Sequence, residues 1–169
     1  LSMQLEPADG RRVAPMWDEP ASKATFALEV VIPKDQSAFS NMPETSNRVV
    51  GDARHVRFQT TPKMSSYLLH LSVGDLERVS RMVEGVDVGI VMRRGAGSMA
   101  KFALDATAEI LPWYNDYFGT SYPLPKLDMI AVPGTSQFFG AMENWGAIMY
   151  FEQALLMDPQ ISSESDRLN

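Results

Sequence analysis

Phe138-Phe139-Gly140-Ala141-Met142-Glu143-Asn144-Trp145-Gly146 sets one carboxylate into an apolar run that continues to Phe151. The run has the length and apolar content of an extended segment, and its glycine lets another backbone approach closely. A carboxylate just beyond such a glycine suits a site that holds an extended chain and a cationic group together.

Working outward, Leu127–Val132 reads as a short, fully apolar strand. Upstream of it the pattern is helical: Phe102, Ala106, Ile110, Trp113 and Tyr117 recur every three or four residues on one face, with Ser98 as the N-cap and Gly119 as the stop. Pro112 is expected to kink or divide this helix, because it removes a donor and crowds the preceding turn. The glycine-rich segment Arg93-Arg94-Gly95-Ala96-Gly97 reads as a hinge between domains. Before it, Phe26, Leu28, Val30 and Ile32 alternate along a strand from Ala24, and further strands are expected at Ser37–Asn41, His55–Thr60 and Ser66–Val73. Turn signals stand at Met42-Pro43, Gly51-Asp52 and Thr61-Pro62. Such short strands at regular spacing predict an antiparallel β-sandwich, continued by Leu76–Val83 and Val86–Met92.

With 169 residues, 45% apolar and 21% charged, the chain is long enough for a buried core and has the composition of a globular protein. A net charge of -6 without clustered Lys and Arg excludes a nucleic-acid partner. No apolar run reaches the roughly 20 residues a membrane span needs. The absence of Cys excludes disulfides and thiolate chemistry but leaves the compartment open, cytoplasm or periplasm.

Glu143 with its neighbours, followed by Trp145-Gly146, and far upstream Arg11-Arg12 and Trp17-Asp18-Glu19-Pro20, closely resemble the gluzincin aminopeptidases, the M1 family of zinc enzymes that trim residues from peptide N-termini. The resemblance is of the aminopeptidase N type and covers nearly the whole chain. It implies a mixed β and α/β fold. Residues 1–92 would be the C-terminal part of an N-terminal β-sandwich domain, 93–97 a linker, and 98–169 the start of a thermolysin-like α/β peptidase domain. In the Gly-Ala-Met-Glu-Asn motif, Glu143 would bind the substrate's α-ammonium, while Gly140 and Ala141 align the peptide as an added strand; Met142 and Asn144 belong to the same substrate-binding stretch. Gln4 and Glu6 match a glutamine and glutamate that the family supplies to the cleft, so Glu6 would join Glu143 around the ammonium. Phe139 stands where the family lines the pocket for the first side chain, although a strand residue here equally suits a core. Asp18 and Glu19, beside Pro20 and near Arg11 and Arg12, read as a structural turn with salt bridges.

The departure from the family is in metal chemistry. A catalytic zinc needs three protein ligands, in this family His-Glu-x-x-His on a helix plus a later Glu, whereas this sequence has only His55 and His70. The resemblance therefore implies an internal piece that ends before the zinc helix, with zinc in the full-length enzyme, none in this chain, and no catalytic residue within it. The expected partner is a peptide with a free N-terminus. The rival reading is a non-catalytic β-sandwich module that binds other proteins.

Overall fold

The computed structural model describes residues 1–134, 140–158, 160 and 162. The chain forms two compact units, Leu1–Asp75 with Glu143–Ala147, and Leu76–Met142 with Ile148–Asn169. Most of its regular structure is β-sheet, with one long helix.

In the first unit, β1 (Glu29–Pro33), β4 (Ala53–Phe58) and β3 (Glu44–Val50) form an antiparallel sheet in that order, and β2 (Ser37–Ser40) pairs antiparallel with β5 (Leu71–Gly74). Ile32, Val56 and Phe58 from the first sheet share one buried cluster with Ala38 and Leu71 from the second. The two sheets thus close on a common core, which is the expected sandwich. Val56 is fully buried, and burying a side chain of this size stabilises by about 1.5–3 kcal/mol. The sequence reading passed over β3, whose residues are almost all exposed, mostly polar, and show no alternation. A second cluster of Leu5, Met64, Leu68 and Leu69 lies beneath the loops, with Met3, Phe26 and Tyr67 packed against it. Residues 66–68, expected as the start of a strand, form a short 3-10 helix instead.

The turn around Trp17-Asp18-Glu19-Pro20 is held largely by hydrogen bonds. Asp18 is buried and accepts from the Ser66 hydroxyl at 2.6 Å and the Arg11 backbone N–H at 3.3 Å. The Arg11 guanidinium donates to the Trp17 carbonyl, and Arg12 pairs with Asp9 rather than with the signature carboxylates.

The second unit holds a five-stranded sheet in the order β6 (Leu76–Val83), β7 (Val86–Arg93), β8 (Lys126–Val132), β10 (Ala147–Phe151), β9 (Ala141–Met142). Glu84 and Gly85, both at positive φ, make the two-residue turn between β6 and β7. β7 and β8 are parallel, and such a pair needs a crossover, here α1 (Lys101–Phe118). The expectation that β6 and β7 extend the sandwich is therefore corrected. Their alternation marks them as strands, but it does not encode which sheet they join, and the parallel ladder with β8 decides that.

Segment 93–97, expected as a linker, lies inside this second unit, where Glu77 Oε1 accepts from the Gly95 and Gly97 N–H groups at 3.1 and 2.8 Å. α1 is preceded by a 3-10 turn at Gly97–Ala100, so Ala100 rather than Ser98 takes the N-cap position. The helix runs undivided through Pro112 and ends at Gly119 in the left-handed conformation, as expected. Its packed face is Ala103, Leu104 and Leu111. The stripe read from the sequence is real but faces outward: Ile110, Trp113 and Tyr117 are exposed, with Trp113 and Tyr117 stacked at 5.1 Å. Among the described residues no helix is long and apolar enough to cross a membrane.

Candidate functional site

The extended segment expected from Phe138 to Phe151 is interrupted. β9 ends at Met142 and β10 begins at Ala147, and the residues between belong to the first unit. Gly146, at φ 72°, reverses the chain, and the Ala147 N–H closes the turn on the Asn144 carbonyl at 3.1 Å. Glu143 thus sits on a turn rather than on a strand, which an apolar run alone could not reveal.

Two buried asparagines fasten that turn. Asn144 Nδ2 donates to the Leu68 carbonyl at 3.2 Å and, at 3.5 Å, to that of Tyr67; its Oδ1 has no hydrogen-bond partner among the described residues. Asn41 Nδ2 donates to the carbonyls of Leu68 and Trp145, both at 2.8 Å, and its Oδ1 accepts from the His70 N–H at 2.8 Å. Buried amide bonds of this kind are costly to leave unmade, so they fix the backbone immediately after the carboxylate.

Glu143 itself is exposed, and its Oε1 accepts from the Tyr67 hydroxyl at 3.4 Å. The Tyr67 phenol is raised above its ordinary value by burial first, then by the charge and hydrogen bond of Glu143, then by the charge of Glu6. The phenol therefore registers both carboxylates, which the sequence paired only through the family. Gln4 Oε1 accepts from the Glu6 N–H at 3.1 Å, a bond local to the start of the chain. Among the described residues neither Glu6 nor Glu143 has an ion-pair partner. The charges of both carboxylates act on this one hydroxyl, so the surroundings of Tyr67 are negative.

Gly140, Ala141 and Met142 belong to the second unit. Ala141 and Met142 form β9, paired with Tyr150 and Met149, and the Phe151 N–H donates to the Gly140 carbonyl at 3.3 Å. β9 is the last strand of its sheet, Gly140 is exposed with open space above its Cα, and Met142 is buried. Phe139 lies outside the described residues.

The histidines do not converge. His55 lies on β4, while His70 is fully buried with Nε2 2.8 Å from the Ser72 hydroxyl. Among the described residues no three His, Cys, Asp or Glu side chains are grouped to hold a metal ion. Sequence reasoning missed Tyr67 and Asn41, both of which it read as parts of strands. Neither carries a local mark, because both act on residues far away in the chain.

Residues 1–68 match the Peptidase M1 N-terminal domain family and residues 102–169 the Peptidase family M1 domain. The chain is 47% identical to an aminopeptidase N of Acetobacter pasteurianus over 99% of its own length and 47% of the relative's. It is 44% identical to aminopeptidase M1 of Arabidopsis thaliana over 97% of its length and 18% of the relative's. To the puromycin-sensitive aminopeptidase of Caenorhabditis elegans it is 41% identical, over 96% and 17%. The chain thus spans about half the length of the first relative and under a fifth of the other two. With both parts of one family's architecture matched in order, and relatives aligned across almost every residue, this chain belongs to the M1 peptidase family.

Proposed function

We propose that this chain carries the part of a zinc-dependent aminopeptidase that recognises the free amino end of a peptide, and that it does not hydrolyse peptides by itself. One observation carries the reading. Glu143 is an exposed carboxylate without an ion-pair partner among the described residues, mounted on a turn that Asn41 and Asn144 hold from within. Such a group is set for a cation that arrives from outside, and Glu6 adds a second negative charge to the same surroundings. A charge-assisted hydrogen bond to an α-ammonium contributes about 1.5–3 kcal/mol, enough to prefer free over blocked amino ends by roughly tenfold to 150-fold.

In this reading Gly140 and Ala141 align the peptide backbone. β9 is a terminal strand, and an extended peptide adds to such an edge through main-chain hydrogen bonds. Asn144 holds the turn, Gln4 holds Glu6, and Met142 is the buried residue that anchors the strand. The part given to Phe139, contact with the first substrate side chain, rests on the family resemblance.

When present, zinc supplies the activation of water in this family. The residues described here do not fit it: the chain's two histidines lie apart and one is sealed in the core. No step is assigned to the metal. The chain by itself is expected to hold no stoichiometric zinc and to leave aminoacyl amides intact, with or without a chelator.

The recognition step is tested on the 169-residue chain by following Glu143 and Trp145 amide signals in NMR titrations near pH 6 with L-leucinamide and with its N-acetyl counterpart. Saturable shifts with leucinamide alone, abolished by Glu143→Gln, support the reading. Equal shifts with both compounds, or shifts that survive Glu143→Gln, contradict it.

A further inference from the structure

Resting on that reading of Glu143, we infer that Tyr67 is the positioning residue that presents the carboxylate to the amine, its hydroxyl bonded to one carboxylate oxygen and the other left for the ligand. Tyr67 donates to Oε1 at 3.4 Å, and among the described residues Oε2 has no hydrogen-bond partner. A glutamate on an exposed turn has three side-chain torsions to order when it grips a ligand, and ordering them opposes binding. Tyrosine has two, and here the ring packs against the buried cluster of Leu5, Met64, Leu68 and Leu69. The hydroxyl is therefore a nearly fixed point from which the carboxylate can be held.

The two partners share a mount. Asn144, next to Glu143 in the chain, donates to the carbonyls of Tyr67 and Leu68, so phenol and carboxylate sit on two backbone segments already bonded to each other. At 3.4 Å the bond is long for O–H···O. It restrains the carboxylate without drawing much charge from it. The groups acting on the phenol are Glu143 and Glu6, and both, with burial, hold it above its ordinary value. It stays a protonated donor throughout the range in which the carboxylates are ionised and an α-amine, with a pKa of about 7.7–8.0, still carries its proton.

Tyr67→Phe keeps the ring and its packing and removes only the hydroxyl. In the titration with L-leucinamide it is expected to weaken binding by about twofold to tenfold, with no effect on the N-acetyl compound. The amide shifts of His70 and Asn144 should stay unchanged, showing that the fold is intact. A second measurement leaves Tyr67 in place: ¹³C NMR of its Cζ should show the phenol titrating at lower pH in Glu143→Gln than in the wild type. If leucinamide binds the wild type and is lost in Glu143→Gln, yet Tyr67→Phe binds as tightly as the wild type or the phenol titration does not move, the positioning role is wrong and the reading of Glu143 stands. If leucinamide fails to bind the wild type, or binds Glu143→Gln equally, both fall together.

Discussion

Asn41 Nδ2 donates to the backbone carbonyl of Trp145 at 2.8 Å, across 104 residues of sequence. The same nitrogen reaches the Leu68 carbonyl, and the amide oxygen takes the His70 N–H. One side chain therefore joins the chain before β3, the short helix before β5 and the turn that carries Glu143.

Asn41→Leu removes three hydrogen bonds from a side chain that is only 1% exposed. Each buried group left without a partner costs about 1–3 kcal/mol, though neighbouring losses do not add in full, so a destabilisation of about 3 kcal/mol is expected in urea unfolding. Amide exchange at Trp145 should quicken as well. A change below about 0.5 kcal/mol would show that Asn41 is not a structural tie.

A buried ionic group organises the second unit. Asp128, on the fully buried strand β8, faces Arg78 at 2.8 Å and Lys126 at 2.9 Å, and Arg78 also pairs with Asp87 at 3.0 Å. Arg78 lies over Gly89, where any Cβ would collide with the guanidinium. Burial pushes the Lys126 ammonium below its ordinary value, and the Asp128 charge works against that. A lysine lowered in the folded state costs stability while the unfolded chain would hold the proton, so this cost fades only as pH rises toward the ordinary lysine range. Asp128→Asn removes the carboxylate facing both cations and should cost about 3–5 kcal/mol at neutral pH. Thermal unfolding measures it, and an unchanged midpoint would contradict the account.

Whether residues 93–97 link two domains is open to proteolysis. The family matches leave residues 69–101 between them, a span that contains both this segment and the Asp75–Leu76 division between the compact units. Because Glu77 holds the N–H groups of Gly95 and Gly97, trypsin should cut slowly after Arg93 and Arg94, and Glu77→Ala should speed cleavage there. Rapid first cutting at Arg93 or Arg94 in the wild-type chain would restore the linker as a domain boundary.

Much of the architecture was legible because it rests on local rules. Alternation found β1, although it began the strand at Ala24 rather than Glu29, strand-like runs between turn signals found β2 and β4, and Gly119 marked the end of α1. Sheet membership was not legible, since Leu76–Met92 reads as hairpin strands whichever sheet receives them. The aromatic stripe on α1 shows a related limit: periodicity identifies a face, not which way it turns, and the small Ala103 with Leu104 and Leu111 took the core side. At the candidate site, Glu143 and Glu6 came from motif and family resemblance. Tyr67 and Asn41 came only from three-dimensional contact, because no spacing rule joins residue 41 to residue 145.

The central claim, that Glu143 binds an amino terminus, is tested most directly in an active full-length enzyme bearing this sequence. Glu143→Gln keeps shape and most hydrogen bonding but removes the charge, so kcat/KM should fall by about tenfold to 150-fold, or about 1.5–3 kcal/mol, with zinc content unchanged. Inhibitors that carry a free amine should weaken by the same factor, while metal-directed inhibitors without an amine should bind the variant as well as the wild type. Equal weakening of both inhibitor classes, or loss of the metal, would contradict the account and make Glu143 a structural residue.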